Sequence, residues 1–333
     1  MKFLFPDFLY LGAILGGALC SGLSMFIWQP VCRRLGWLDY PGPRKIHQQP
    51  IPVSGGFAVG TGVFAPSALV ALSLLLGLWP DTVSGPLLEH GLIRRGPQLL
   101  ILYLGGAAMF WIGWWDDRKN LRPLHKLALQ ALVAFGVAVA GMRVTLFVPV
   151  PAIQIVLTVL WILMVTNAVN IIDNMNGLCA GLSAIACFYF GMYAALWGQY
   201  LTASLAFLSL GAFLGFLPFN FPKAQAFLGD AGSHLAGFFL AVLALLPDYY
   251  NPSHPLRSAV FYPLFILGVP LGDMVRVSYV RWRLGHPIFE GDTRHLSHEL
   301  VRRGLSQTTA VLLIWLGAVV SGAMPFLLER FFR

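Results

Sequence analysis

Charged residues are scarce in this chain. Only 11% of its 333 residues are charged and 57% are hydrophobic, whereas soluble domains carry about 25% charged residues. Its four cysteines form no CxxC pair, which argues against a disulfide framework or a cysteine metal cluster. There is no internal repeat and no low-complexity tract. The formal charge of +8 could suggest nucleic acid, but apolar runs of membrane-spanning length interrupt the basic residues, so we expect no nucleic-acid partner.

Those apolar runs predict an all-α fold, a polytopic integral membrane helical bundle. A transmembrane helix needs about 20 mostly apolar residues. The run at 8–30 is too long for a signal-peptide core and lacks a clear A-x-A cleavage site, so we expect it to be a retained helix. We predict about 10 transmembrane helices, at 8–30, 53–77, 98–115, 124–141, 151–171, 178–198, 201–219, 231–247, 258–280 and 308–328. No segment between them is long enough to fold alone, so residues 1–333 are predicted to form a single domain.

Lysine and arginine divide the loops between these runs into two sets. Most of the 22 basic residues belong to one set. Because positively charged loops stay in the cytoplasm, we predict that this set is cytoplasmic and that both termini are periplasmic. The cytoplasmic loops are 31–52, 116–126, 172–177, 218–230 and 281–307. The same loops and the adjoining helix ends collect carboxylates, amides and histidines, which a structural protein has no reason to do. We therefore expect an active site on this face.

Two adjacent carboxylates, Asp116 and Asp117, lie where one apolar run ends. Placing neighbouring acids at a membrane helix end costs desolvation and repulsion. That cost is expected where carboxylates bind a divalent cation or take a proton; a solvated helix end balanced by Arg118 is the alternative. Lys126, just inside the next helix, is placed to reach back toward a phosphate.

Amides and an acid recur every third residue at Asn167, Asn170 and Asp173, so they follow one face of a helix that leaves the bilayer. Their oxygens suit a metal that must also accept pyrophosphate oxygens, although interhelical hydrogen bonds are the alternative. The segment 174–177 is rich in asparagine and glycine and predicts a turn that a flat ring or a phosphate could approach.

Asp230 is the only acid in the loop 218–230, and glycines lie close on both sides of it. Mg²⁺ typically uses one or two carboxylates together with substrate phosphates, so Asp230 is the favoured metal ligand, with a helix cap as the alternative.

Basic residues in two other loops are candidates for binding phosphate. Arg294, His295 and His298 form one such face; a zinc pair is the alternative, but no further nitrogen or sulfur ligand is near in sequence. Lys45 and His47 follow the first span, where ordinary positive-inside residues are the alternative interpretation.

Taken in order over residues 39–307, these segments resemble the polyprenyl-phosphate N-acetylhexosamine-1-phosphate transferases. The pattern is more similar to the subgroup that uses UDP-N-acetylglucosamine than to the phospho-N-acetylmuramoyl-pentapeptide enzyme, which carries three consecutive histidines after a proline. The resemblance rests on Arg44-Lys45-x-His47, Asp116-Asp117, Lys126, Asn167-x-x-Asn170-x-x-Asp173, Gly229-Asp230-x-Gly232-Ser233 and the His295 loop.

The resemblance implies a multi-pass enzyme of the bacterial inner membrane, with membrane lipid around it and its active site in the cytoplasm. It would transfer a HexNAc-1-phosphate, with GlcNAc-1-phosphate the first choice, from a UDP-sugar to undecaprenyl phosphate. UMP would leave, and cell-envelope glycan synthesis would begin. A different UDP-HexNAc, including the muramoyl-pentapeptide substrate, is the alternative, and a homodimer is left open.

The resemblance also implies roles for individual residues. Asp230 and Asn170 would hold Mg²⁺, with Mn²⁺ as the alternative ion. Asp116 would deprotonate or orient the lipid phosphate, with Asp117 beside it, so the catalytic set is Asp116, Asp117 and Asp230. The substrate-binding set is Lys45, His47, Lys126, Asp173, Asn176, Arg294, His295 and His298, in which Lys126 and the His295 loop contact pyrophosphate and Asn176 the uracil ring.

Two segments depart from the family pattern. Relatives often read Asp-Gly-x-Asp-Gly-Leu where this chain has Asp173-Asn-Met-Asn-Gly-Leu178, and His-x-His-His where it has His295-Leu-Ser-His298. Ser297 therefore replaces one imidazole, which predicts weaker binding of the phosphates or a preference for a different hexosamine.

Direct attack of the lipid phosphate on the sugar-linked phosphorus is the favoured mechanism. A phosphate monoester has a second pKa of about 6, so it is largely a dianion at neutral pH, and a base is useful without being obligatory. A covalent aspartyl intermediate is the alternative.

A secondary transporter is a rival from another class, but transporter sites lie near the bilayer midplane between repeated halves. A membrane-embedded lipid phosphatase is a further rival, but it would need a nucleophile together with arginines that bind the phosphate.

Overall fold

Helices make up most of the described part of the chain. The computed structural model describes residues 6–42, 48–78, 84–144, 148–250, 257–287 and 294–332. The helices are α1 (Asp7–Arg34), α2 (Gly55–Leu75), α3 (Ser84–Lys119), α4 (Pro123–Val139), α5 (Pro151–Ile171), α6 (Leu178–Leu196), α7 (Tyr200–Asn220), α8 (Gly229–Leu243), α9 (Tyr262–Ile266), α10 (Gly268–Arg283), α11 (Leu296–Arg302) and α12 (Gln307–Phe332). Two short strands, β1 (Leu38–Asp39) and β2 (Ile51–Pro52), pair antiparallel with Leu38 opposite Pro52.

Seven helices in the described part of the chain are long and apolar enough to cross a membrane: α1, α2, α3 from Ile93 onward, α5, α6, α7 and α12. Large apolar side chains on the outer faces of these helices are exposed, among them Leu23 and Phe26 of α1 and Leu316 of α12. Apolar surface of this extent is expected to face lipid. The protein is therefore an all-helical, polytopic membrane protein, as predicted.

The total of ten spans and the periplasmic position of both termini stay predictions. Helices α4 and α8 coincide with two predicted spans, but they have 17 and 15 residues, fewer than the about 20 that a straight span needs.

The predicted span at 258–280 is not one continuous helix, because the helix is broken near its middle. A 3-10 turn at Arg257–Phe261 leads into α9, and the segments on either side of Leu267 are bent by 74°. Pro263 and Pro270 each lie in the first turn of a helix. Proline lacks an N–H and clashes inside a helix but is tolerated in the first turn, so this spacing favours two short helices over one long one.

Helix α8 lies at the centre of the bundle. Every residue from Ala231 to Leu243 is buried, and α2, α3, α5 and α6 pack around it. The packing is close enough that a side chain at Gly237 would meet the backbone of Thr166 on α5, as is typical of membrane helices with small residues at their contacts. The N-terminus of α8, which carries Asp230, is therefore held by a closely packed part of the bundle.

Candidate active site

A cavity of about 1560 Å³ opens among the ends of these helices. It is lined by residues from segments that are far apart in the chain. The predicted site residues that line it are Asp116, Asp117, Lys126, Asn167, Asn170, Asp173, Asn176, Asp230, His295 and His298. Lys45 and His47 lie outside the described residues. Arg294 is not among the described lining residues; its backbone carbonyl accepts a hydrogen bond of 3.0 Å from Arg276.

The ammonium group of Lys126 lies at the centre of the polar side chains. Its Nζ is 2.6 Å from Asp116 Oδ2, 3.1 Å from Asn170 Oδ1 and 3.3 Å from Asp230 Oδ2. The turn between α3 and α4 produces this contact, because Asp116 Oδ1 accepts a hydrogen bond of 2.8 Å from the backbone N–H of Leu121. The short connection brings Lys126 back over the end of α3; the predicted contact of Lys126 with a phosphate stays a prediction.

Asp230 is aligned by an amide. Asn170 Nδ2 donates to Asp230 Oδ1 at 2.7 Å and contacts Ser233 Oγ at 2.9 Å. The Asp230 side chain is 35% exposed, so its carboxylate remains accessible from the cavity while α5 and α8 hold its orientation.

Asp117 binds the start of α8. Its Oδ1 accepts from the N–H of Asp230 at 2.9 Å and its Oδ2 from the N–H of Ala231 at 3.0 Å. The first N–H groups of a helix have no partner within the helix, and a carboxylate there also opposes the helix dipole favourably. Asp117 therefore positions Asp230 through the backbone, a role that its place next to Asp116 does not reveal.

Two glycines allow this close approach of α3 to α8. A Cβ at Gly113 would lie 2.1 Å from the carbonyl oxygen of Asp230. Gly229 has a φ of +72° and a Cβ there would lie 2.2 Å from Val53 Cγ1, so both backbone conformation and space require glycine.

The loop after α5 forms one wall of the cavity. Burial, together with the carboxylates of Asp230 and Asp117, raises the pKa of Asp173 to about 8. Asn176 Nδ2 donates to the carbonyl of Pro222 at 3.3 Å. The buried Asn220 accepts from Gly177 N–H at 2.7 Å and ties this loop to the end of α7.

His295 is held by an acid that sequence reasoning missed. Its Nδ1 is 2.7 Å from Asp273 Oδ2, and Asp273 Oδ1 accepts from the N–H of Leu296 at 2.8 Å. Both side chains are buried. The available signal was an aspartate within an otherwise apolar run, which is costly in a membrane and needs a partner. Asn220, an amide at the end of another run, carried the same kind of signal.

The side chains of this cavity suit a magnesium ion better than a metal that needs a closed cage of protein ligands. Among the described residues, no three histidine, cysteine, aspartate or glutamate side chains converge as a metal site. Mg²⁺ does not need such a cage, because it keeps several waters and binds one or two carboxylates plus substrate phosphates. Asp116, Asp117, Asp173 and Asp230 line the cavity together with Lys126, and a divalent cation would balance part of their negative charge.

The fold and the site together define a polytopic membrane protein with a charged cavity suited to a cation and to phosphate groups.

Residues 99–247 match the model of glycosyl transferase family 4. A Bacillus subtilis protein named as a probable undecaprenyl-phosphate N-acetylglucosaminyl 1-phosphate transferase is 32% identical, over 90% of this chain and 80% of its own. The decaprenyl-phosphate N-acetylglucosaminephosphotransferase of Mycobacterium tuberculosis H37Rv is 31% identical, over 92% and 80%. The undecaprenyl-phosphate alpha-N-acetylglucosaminyl 1-phosphate transferase of Escherichia coli K12 is 27% identical, over 93% and 82%. The chain belongs to glycosyl transferase family 4.

Proposed function

We propose that this protein transfers N-acetylglucosamine 1-phosphate from UDP-N-acetylglucosamine to undecaprenyl phosphate, releasing UMP and beginning the synthesis of a cell-envelope glycan. The names of its relatives support this reaction. The observation that carries it is the convergence of Asp116, Lys126, Asn170 and Asp230 in one cavity, which His295 and His298 also line.

Asp230 and Asn170 are the proposed ligands of Mg²⁺, with Mn²⁺ as the alternative ion. Their oxygens lie on adjacent helices, and the hydrogen bond between the two side chains fixes their relative orientation. When bound, the cation supplies neutralisation of pyrophosphate charge, which is the main requirement of phosphoryl transfer.

The reacting phosphates are proposed to lie between Lys126 and the His295 wall. Lys126 is a point charge with three donors and can exchange a carboxylate for a phosphate oxygen. Asp116 orients the lipid phosphate. One of that phosphate's oxygens forms a bond to the sugar-linked phosphorus, and the bond between this phosphorus and the bridging oxygen of UMP breaks.

Asp117 is proposed to act indirectly. Because both of its oxygens accept hydrogen bonds from the start of α8, it is a positioning residue for Asp230 and not the base that meets the lipid phosphate. Asp173 and Asn176 are proposed to face the nucleotide.

The lipid chain is proposed to leave the cavity along its apolar wall. Leu127 of α4, Leu160 and Met164 of α5 and Met274 of α10 line that wall, and apolar side chains suit an isoprenoid chain. The basic loops 31–52, 116–126, 172–177, 218–230 and 281–307 support a cytoplasmic active site in a bacterial inner membrane. Residues from α1 to α12 line this cavity, which supports a single functional unit over residues 1–333.

Replacement of Asp230 by asparagine tests the proposal. In purified protein, Mg²⁺-dependent release of UMP from UDP-N-acetylglucosamine and undecaprenyl phosphate should fall by about 10³-fold, since an essential charged group is lost. Asp248→Asn, beyond the opposite end of α8, is the matched control and should keep full activity. Unchanged activity of Asp230→Asn would remove this residue from the metal site, and a panel of UDP-sugars would identify the preferred sugar.

A further inference from the structure

One hydrogen bond joins two walls of the cavity. Ser297 Oγ donates to Asn174 Oδ1 at 2.7 Å, and Ser297 is only 1% exposed. Asn174 Nδ2 in turn contacts the carbonyl of Ile171 at 3.2 Å, at the last residue of α5. Both side chains therefore have defined partners and little freedom to rotate.

The two bonded residues lie beside the groups that face the substrate. Asn174 is between Asp173 and Asn176 in the loop after α5, and Ser297 is between His295 and His298 at the start of α11. Asp273 of α10 also holds α11, through His295 and the N–H of Leu296. Ser297 thus connects α11 to the loop after α5.

Both positions are also among those at which the chain departs from the pattern of its family, with asparagine at 174 where glycine is frequent and serine at 297 where histidine is usual. A larger imidazole at a position that is 1% exposed would require room, and the Asn174 side chain lies directly against this position, with its Oδ1 2.7 Å from Ser297 Oγ.

We propose that Asn174 and Ser297 form a clasp that sets the separation between the nucleotide-facing loop and the phosphate-facing histidines. The inference rests on the proposed function, and both are positioning residues, since neither is assigned a bond to the substrate. By holding the two walls in register, the clasp aligns the UDP-sugar across the cavity. It does not act on the lipid, whose proposed path lies along the wall formed by α4, α5 and α10.

A double-mutant cycle tests the clasp, with Ser297→Ala, Asn174→Ala and the double variant in purified protein. Each single substitution should lower kcat/KM about tenfold, the size expected for one buried hydrogen bond. The loss should appear as a higher KM for UDP-N-acetylglucosamine, with the KM for undecaprenyl phosphate unchanged. The double variant should be no worse than Asn174→Ala, because Ser297→Ala removes an interaction that Asn174→Ala has already removed.

An exchange of both residues provides the second test. Ser297→His alone should reduce activity more than Ser297→Ala, because the imidazole has no room. Asn174→Gly with Ser297→His should restore kcat/KM to within about threefold of the wild type. The control is Ser209→Ala, which removes a buried hydroxyl bonded within α7 and should leave both KM values unchanged.

The outcomes separate the two proposals. Additive losses in the cycle, equal changes in both KM values, or no rescue by the exchanged pair would each overturn the clasp while wild-type transfer still supports the function. A wild type that releases no UMP from any UDP-sugar would overturn the proposed function, and the clasp with it.

Discussion

Replacing Lys126 with methionine should separate two roles of the central ammonium group, which binds the Asp230 carboxylate and is also proposed to bind the substrate phosphates. Methionine retains most of the side-chain volume but removes the charge. The variant should bind Mg²⁺ more tightly than the wild type, yet transfer sugar phosphate far more slowly.

The magnitude follows from the contacts. A hydrogen bond to a charged group contributes about 1.5–3 kcal/mol. The lower value applies to the Lys126–Asp230 contact, because it is 3.3 Å long and the Asp230 side chain is 35% exposed. Releasing this carboxylate should therefore strengthen Mg²⁺ binding about tenfold. Transfer should fall by about 10²–10³-fold, as is typical when one preorganised charge-stabilising donor is removed.

Mg²⁺ affinity would be measured by calorimetric titration of the detergent-solubilised protein, and transfer by UMP release. Lys119→Met is the matched control, since Lys119 lies at the exposed end of α3 and should leave both quantities unchanged. Weaker Mg²⁺ binding by Lys126→Met, or undiminished transfer, would refute the reasoning.

Two further predictions concern the walls of the cavity. The pKa of Asp173 is raised to about 8 by burial and by the neighbouring carboxylates, and a bound cation favours its ionised form. The Mg²⁺ affinity of the wild type should therefore rise with pH up to about 8 and then level off. The Asp173→Asn variant should show a flatter pH dependence in the same titration. A wild-type affinity that does not change with pH would contradict this prediction. Asp273→Asn should lower transfer about tenfold while leaving Mg²⁺ affinity unchanged, because His295 loses its charged partner; a parallel loss of Mg²⁺ affinity would show that Asp273 supports the whole site and not His295 alone.

Much of the fold could be predicted because membrane-spanning helices depend on length and hydropathy. The predicted span 151–171 coincides with α5 (Pro151–Ile171), since a proline begins the run and polar residues end it. The break before α10 could not be read in the same way. The run at 258–280 is mostly apolar, and whether its prolines interrupt one helix or begin two depends on the packing of α9 and α10 against α12.

The members of the site were easier to predict than their contacts. A carboxylate or amide at the end of an apolar run is conspicuous, and for that reason Asn170 and Asp230 could each be proposed from sequence, whereas their pairing in one site was implied by the family resemblance. Asp273 and Asn220 are as conspicuous by the same rule, but their partners lie in other segments of the chain, and spacing carries no information about such contacts.

The adjacent pair Asp116 and Asp117 shows why spacing alone is not enough. Consecutive residues of a helix point in directions that differ by about 100°, so two acids that are neighbours in sequence face different parts of the bundle. Asp116 faces Lys126 at 2.6 Å, whereas Asp117 accepts both of its hydrogen bonds from the start of α8. Identical side chains one residue apart thus differ in their partners: Asp116 pairs with Lys126, whereas Asp117 binds the backbone at the start of the helix that carries Asp230.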